Sequence, residues 1–287
     1  MRGELHTGLI FLVSNYLMTI EELRLHLAAF GGSVRLKQWP KRVLWGVAPT
    51  GPVHFGYAPY LGLLRLFAFH GAKVILLIAN YHGFLDSNKT PFAEVATKTK
   101  VYKTSFVKMG VPEQWLIETN EFYFTPNYFR GLMEFTSHLS ISDALAAAGL
   151  TLRSTSAERT FGDMLYVATQ IYDVQHLGVD CVICGQDEAG IYEFGLPALY
   201  NITDAEVDYA YLPIAPGLES NAMHASDASS NKLLLEANPS QIAFAFSRSS
   251  NFTEHHSKFT FPLLNHQSSG LSEPSPEAIF KLLRGQT

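Results

Sequence analysis

Val43-Leu44-Trp45-Gly46-Val47 breaks into Ala48-Pro49-Thr50-Gly51-Pro52-Val53-His54-Phe55-Gly56-Tyr57 and runs on into an apolar helix, and this stretch decides the fold. A buried strand, a Gly/Pro turn and a helix with a His in its first turn make a seat for a phosphate or adenylate, because free N–H groups converge there. Many α/β proteins have such a turn, and a His there is often only a cap or a packing residue. A second continuous apolar run follows, Val74-Ile75-Leu76-Leu77-Ile78-Ala79-Asn80, as expected of a strand covered on both faces in a parallel sheet. Strand, helix and strand in succession make a βαβ unit.

Composition sets broader bounds. Of 287 residues, 47% are hydrophobic and 16% charged, ample for a buried core, and the net charge of −5 argues against non-specific polyanion binding while leaving room for a local basic face. Lys98, Lys100, Lys103 and Lys108 fan around a helix and form no stripe, so they read as a solvated face. Cys181 and Cys184 have C-x-x-C spacing, but Val182-Ile183 between them reads as strand, which sends the two thiols to opposite faces, and a structural zinc site needs two more ligands; no metal is expected. Leu9 to Val13 and Leu17 are too short and interrupted for a membrane span, and Glu4 with no small-residue cleavage site argues against a secretory signal. The expectation is a cytoplasmic protein, which leaves the sequons at Asn201 and Asn251 incidental.

Trp45-Gly46 with Pro49-Thr50-Gly51, the His54-Phe55-Gly56-Tyr57 tetrapeptide and the run from Ala79 to Asp86 resemble the catalytic domain of tyrosyl-tRNA synthetases, including the first signature of class I synthetases. A second block agrees: Tyr166 to Asp173, Val179-Asp180 and Gly185-Gln186-Asp187-Glu188 match in order and spacing the part of that family that grips the amino acid. The resemblance runs from about Leu36 to about Ala245. It implies an α/β fold, a Rossmann-like parallel sheet of the HUP, class I synthetase type, flanked by helices and carrying an inserted helical region. The expected division is an N-terminal helical extension (1–35, with a helix over Thr19 to Ala29), a catalytic domain (36–248, insertion about 110–160) and a tail rich in Ser, His and Pro (249–287). Helices are expected over Thr90 to Met109, Asn127 to Gly149, Pro239 to Arg248 and Pro276 to Leu283, with a strand over Tyr209 to Pro213. In the family the second of these helices lies at a dimer interface, and its surplus of apolar residues (Phe129, Leu132, Met133, Phe135, Leu139, Ile141, Leu145) leads us to expect a homodimer.

Two departures from the family pattern bear on chemistry. Activating an amino acid requires positive charge where pyrophosphate leaves, yet the stretch aligned with the lysine-bearing second signature reads Ala222-Met223-His224-Ala225-Ser226-Asp227, with Lys232 a few residues on. The residues after the last matching helix are also too few for the anticodon-binding domain that such synthetases append. A kept amino-acid pocket without these features resembles cyclodipeptide synthases, and most of all the fungal arginine-containing ones, which take aminoacyl groups from charged tRNAs and form a diketopiperazine, a natural product, without ATP or another cofactor. The expected partners are then aminoacyl-tRNAs, bound by their 3′ acceptor ends. The alternative is a tyrosyl-tRNA synthetase, or a synthetase-like enzyme activating tyrosine with ATP; a catalytically dead binding protein is disfavoured by the retained pocket residues.

By resemblance, Tyr166 and Gln170 bind the substrate α-amino group, Gln186 lies beside them, and Glu188 replaces a Gln that assists. A carboxylate there holds an ammonium more strongly or takes its proton as a general base. Thr50 and His54 are the candidates for contact with the ester or the tRNA 3′ end, Thr50 as an acyl acceptor because the first strand and its turn hold no serine. Asp173 corresponds to the Asp that accepts the tyrosine hydroxyl, but its usual Tyr partner aligns with Leu44. An unshared carboxylate between Leu44 and Leu77, with Gly46 nearby, calls for a cation, and a guanidinium fits. The plainer reading is that Asp173 bonds a neighbouring backbone group or Tyr172, and that His82 only packs.

Overall fold

The computed structural model describes residues 18–86, 89–151, 160–265 and 273–286. Leu9 to Val13 and Leu17 lie outside the described residues, as do 152–159 of the expected insertion and 266–272 of the expected tail. Six strands form one sheet: β1 (Ser33–Arg35), β2 (Arg42–Val47), β3 (Lys73–Ile78), β4 (Leu116–Glu118), β5 (Cys181–Gly185) and β6 (Asp208–Leu212). Their order is β1-β6-β5-β2-β3-β4, all pairs parallel except β1 with β6. The chain steps outward from β2 through β3 to β4, then returns to lay β5 on the other side of β2. That reversal opens a crevice past the carboxyl ends of β2 and β5, where open α/β sheets take their ligands.

Each face of the sheet carries its own core. Val43, Trp45, Val47, Val74, Leu76 and Ile78 turn to one side, against the helices Ile20–Ala29, Ala58–Phe69 and Pro276–Leu283; Leu44, Ile75, Leu77 and Val182 turn to the other, against Pro126–Thr136, Phe161–His176 and Ala189–Thr203. The strand reading of C-x-x-C holds: Cys181 belongs to the first core and Cys184 to the second. Register places Gly46 beside Leu77 and Trp45 beside Ile183.

Local chemistry sets the helix limits. Thr19, Thr125, Thr160 and Asn238 each accept a backbone N–H from the first turn of the helix they precede, and Thr160 with Asp163 completes a capping box. Three stretches differ from the sequence reading. Thr90 to Met109 begins as a 3-10 turn, Phe92–Glu94, before the helix Val95–Lys108, because Pro91 sits extended at its head. Asn127 to Gly149 is two helices, Pro126–Thr136 and Ile141–Thr151, parted where the Ser137 hydroxyl donates to Glu134 O instead of leaving the ladder intact. The stretch read from composition as a tail is helical and buried: Phe252, Phe259, Leu263, Leu264, Ile279 and Leu283 join the first core. Its apolar residues are spaced too irregularly to show as one amphipathic stripe. Among the described residues no helix is long and apolar enough to cross a membrane.

Candidate active site

Past the ends of β2 and β5 lies a cavity of about 180 Å³ lined by Gly46, Thr50, His54, Asp86, Lys89, Tyr166, Asp187, Glu188 and His224, among others. A narrower recess shares Gly46, Val47, Ala48, Tyr166 and Glu188 with it and runs down to Leu44, Leu77, His82, Gln170 and Asp173. Gly46 is what keeps the mouth open: a Cβ there meets nothing within 4 Å and would simply occupy the space. Tyr166, Gln170 and Asp173 arrive at spacings of four and three on Phe161–His176 and so share one face. The structure therefore brings together Leu44, Gly46, Thr50, His54, Leu77, Tyr166, Gln170, Asp173 and Glu188. Gln186 is not among them. It follows β5 with its N–H on Leu212 O (2.8 Å), is exposed and lines neither space, so its placement with Tyr166 is corrected.

Asp173 is not the unshared carboxylate that the sequence suggested. Tyr128 donates to its Oδ1 (2.7 Å) and Tyr123 to its Oδ2 (2.8 Å), while His82 Nε2 lies 2.7 Å from the Tyr123 hydroxyl and 3.2 Å from Thr169 Oγ1. A cation is thus not needed to satisfy this acid. The plainer reading was closer in kind, but the partners are these two phenols and not Tyr172. Burial pushes the Asp173 carboxyl up to about 7 against the pull of both phenols, and the same burial drops His82 to about 3. His82, read as packing, belongs to this polar network. Tyr123 and Tyr128 reach it from some fifty residues upstream, and no periodicity announces them.

The other end is acidic. Glu188 is driven well above the usual carboxylate range by burial and by Asp187 and Asp86, with Lys89 opposing, so it holds its proton near neutrality. An incoming ammonium would favour its ionised form. Lys89 is already paired to Asp86 (2.6 Å), and the Lys232 ammonium is turned away, donating to Ala225 O (2.8 Å). His224 stands 3.9 Å from Asp187, its backbone N–H held by Asp227 (2.8 Å). His54 precedes the 3-10 turn Phe55–Tyr57 without capping it. Its ring packs on Tyr57, its Nδ1 is buried with no partner, and burial with the nearby Lys232 and His224 charges lowers it to about 3. Gly56 permits this, since a Cβ there would come within 2.8 Å of that nitrogen. Gln170 Oε1 is likewise buried and unpartnered, an acceptor left for a ligand. Among the described residues no three His, Cys, Asp or Glu gather as metal ligands.

Residues 36–269 match the family model for class I tRNA synthetases (W and Y). The chain is 30% identical over 208 residues to the cytoplasmic tyrosine–tRNA ligase of Saccharomyces cerevisiae, covering 70% of this chain and 52% of that one. It is 27% identical over 217 residues to the probable cytoplasmic tyrosine–tRNA ligase of Vairimorpha ceranae, covering 72% and 65%. The chain thus spans about half to two thirds of the length of these curated relatives. In fold it is similar to the tyrosyl-tRNA synthetase of Archaeoglobus fulgidus solved with L-tyrosine, with a TM-score of 0.71 and 19% identity over 93% of this chain and 90% of that one.

Proposed function

From the premise that this chain belongs to the class I tRNA synthetase (W and Y) family, we propose that it holds an amino acid between Asp173 and Glu188 and takes that residue ready-made, as aminoacyl-tRNA. It joins two such groups into a diketopiperazine without ATP; the arginine expected at Asp173 rests on an unshared carboxylate, and the two phenols remove that ground. The observation that carries the proposal is the charge around the larger cavity: Asp86, Asp187 and Glu188 face it, and its one lysine, Lys89, is spent on Asp86. A triphosphate would enter a site with three acids and no uncommitted lysine among the described residues lining it. Two missing phosphate-clamping charges cost about 10³-fold in rate or more. In the proposed reaction the ammonium of one aminoacyl group gives its proton to Glu188. The freed amine attacks the other ester carbonyl, a C–N bond forms, and the first ribose oxygen leaves and takes up a proton, giving a dipeptidyl ester; the amine of that dipeptide then attacks its own remaining ester carbonyl, closing the ring with a second C–N bond as the second ribose oxygen leaves and takes up a proton.

A second reading is ATP-dependent activation of tyrosine. The names of the relatives favour it over the first, and so do Tyr123 and Tyr128, because an acid already satisfied by two phenols does not demand a cation. One experiment separates the two: incubate the protein with charged total tRNA, with and without ATP, and analyse small molecules by mass spectrometry beside tyrosine-dependent ATP–pyrophosphate exchange. A cyclic dipeptide formed without ATP, with no exchange, supports the first reading; robust exchange with tyrosine and no dipeptide overturns it.

A further inference from the structure

Asp173 is held from two sides by side chains that no sequence motif links to it. Tyr123 lies between β4 and the helix Pro126–Thr136, Tyr128 lies on that helix, and their rings stack 4.7 Å apart. Each phenol takes one oxygen of the carboxylate. An ionised carboxylate has about four acceptor positions, so two stay open. The recess, with Leu44 and Leu77 on its walls, is the space they can face. With Asp173 ionised, Tyr123 must donate to it, which leaves the Tyr123 oxygen to accept from His82 Nε2–H. That relay also fixes the imidazole tautomer.

No other group balances the acid. Among the described residues its only ion-pair contact is His82 Nε2 at 3.8 Å, kept neutral by burial; the remaining titratable neighbours are the phenols of Tyr172 and Tyr192, whose own pKa values are raised. We propose that Tyr123 and Tyr128 are positioning residues that favour the ionised form of Asp173 against its burial and turn its open lone pairs into the recess, so that the pocket selects ligands by a side-chain hydrogen-bond donor. The proposal rests on the recess being the amino-acid site, whichever of the two reactions the protein carries out.

The test has two arms on the intact protein, wild type against Tyr123→Phe, Tyr128→Phe and Asp173→Asn. In the first, free L-arginine and L-tyrosine are titrated calorimetrically from pH 6 to pH 9. Loss of one charge-assisted bond shifts the carboxyl midpoint by about one unit. The Phe variants then lose about fivefold in affinity relative to wild type at pH 7 and regain it by pH 9, while Asp173→Asn loses affinity at every pH. A loss that pH does not repair, or no loss, overturns the proposal. In the second arm, ¹³C NMR follows the Asp173 carboxyl, and its midpoint rises in both Phe variants; an unmoved midpoint overturns the proposal without reference to any ligand. If the midpoint rises but wild type binds neither amino acid, the phenols do favour the ionised form of Asp173, and it is the amino-acid reading of the recess, with the selection built on it, that fails.

Discussion

Replacing Asp173 by Asn removes one titrating group from the centre of the second core and should change how stability depends on pH. The folded carboxyl titrates near 7 and the ordinary value is 3.8. Between those values the folded state keeps a proton that the unfolded chain has lost, so the contribution is complete below the unfolded value and disappears as pH rises through 7. From pH 5 to pH 8 the wild type should therefore lose roughly 2 to 3 kcal/mol relative to Asp173→Asn, about two protonation decades at 1.36 kcal/mol each. Urea unfolding of both proteins at pH 5, 6, 7 and 8 measures this, and groups common to both cancel in the difference. An Asn at this position keeps the shape and one acceptor for the phenols, so a constant offset is immaterial. A difference between the two proteins that stays flat across the range would refute the buried, proton-holding acid.

Gly51→Ala would set a Cβ 1.8 Å from the Ala225 carbonyl oxygen, so the turn and the loop Ala222–Ser226 must separate; a loss of about 1 to 3 kcal/mol with a widened cavity is expected by calorimetry and ligand titration, and unchanged melting would refute the contact. Arg65 donates to the carbonyls of Leu282 (2.6 Å), Leu283 (2.9 Å) and Met109 (2.8 Å); Arg65→Met should cost about 3 kcal/mol in urea unfolding, and a cost under ~0.5 kcal/mol would show that water replaces it. Phe129 (59% exposed), Met133 (58%) and Ile141 (72%) leave an apolar surface on Pro126–Thr136 and the helix after it, for which we propose a second copy of this chain. Light scattering at micromolar concentration should give a dimeric mass that Phe129→Asp halves, and a monomeric wild type would contradict it.

The parallel core was open to reading because β2 and β3 are uninterrupted apolar runs, which only a sheet covered on both faces demands. The face of Phe161–His176 that lines the recess was equally open, since Tyr166, Gln170 and Asp173 fall at helical spacing. Partners supplied across the fold were not. Tyr123 and Tyr128 meet Asp173 only because the second core folds their helix over it, and nothing at their positions separates them from ordinary packing aromatics. Lys232 misled in the opposite direction: in sequence it offers a charge near the phosphate side, whereas in the fold its ammonium serves a backbone carbonyl. Asp86 and Asp187 stood inside quoted motifs, but their joint effect on Glu188 needed the fold to bring the end of helix His82–Leu85 beside the end of β5.

The helices after residue 248 bear on where this protein could be cut. Helices Ala58–Phe69 and Ile20–Ala29 meet them at close range: a Cβ on Gly62 would lie 2.9 Å from the backbone of Leu263, and His26 stacks on Phe259 at 5.2 Å. The motifs quoted from the sequence end before any of these contacts, whereas the family match runs on through them to residue 269. A polypeptide stopped at Arg248 would keep every residue lining the cavity and the recess, yet would strip Phe252 and His256 from Phe55 in the His54 turn and Leu263 from Gly62 of the helix that follows it. The smallest autonomously folding piece is accordingly larger than the catalytic signature. Protease nicking within 249–264 should inactivate the site from behind, without touching a residue that lines it.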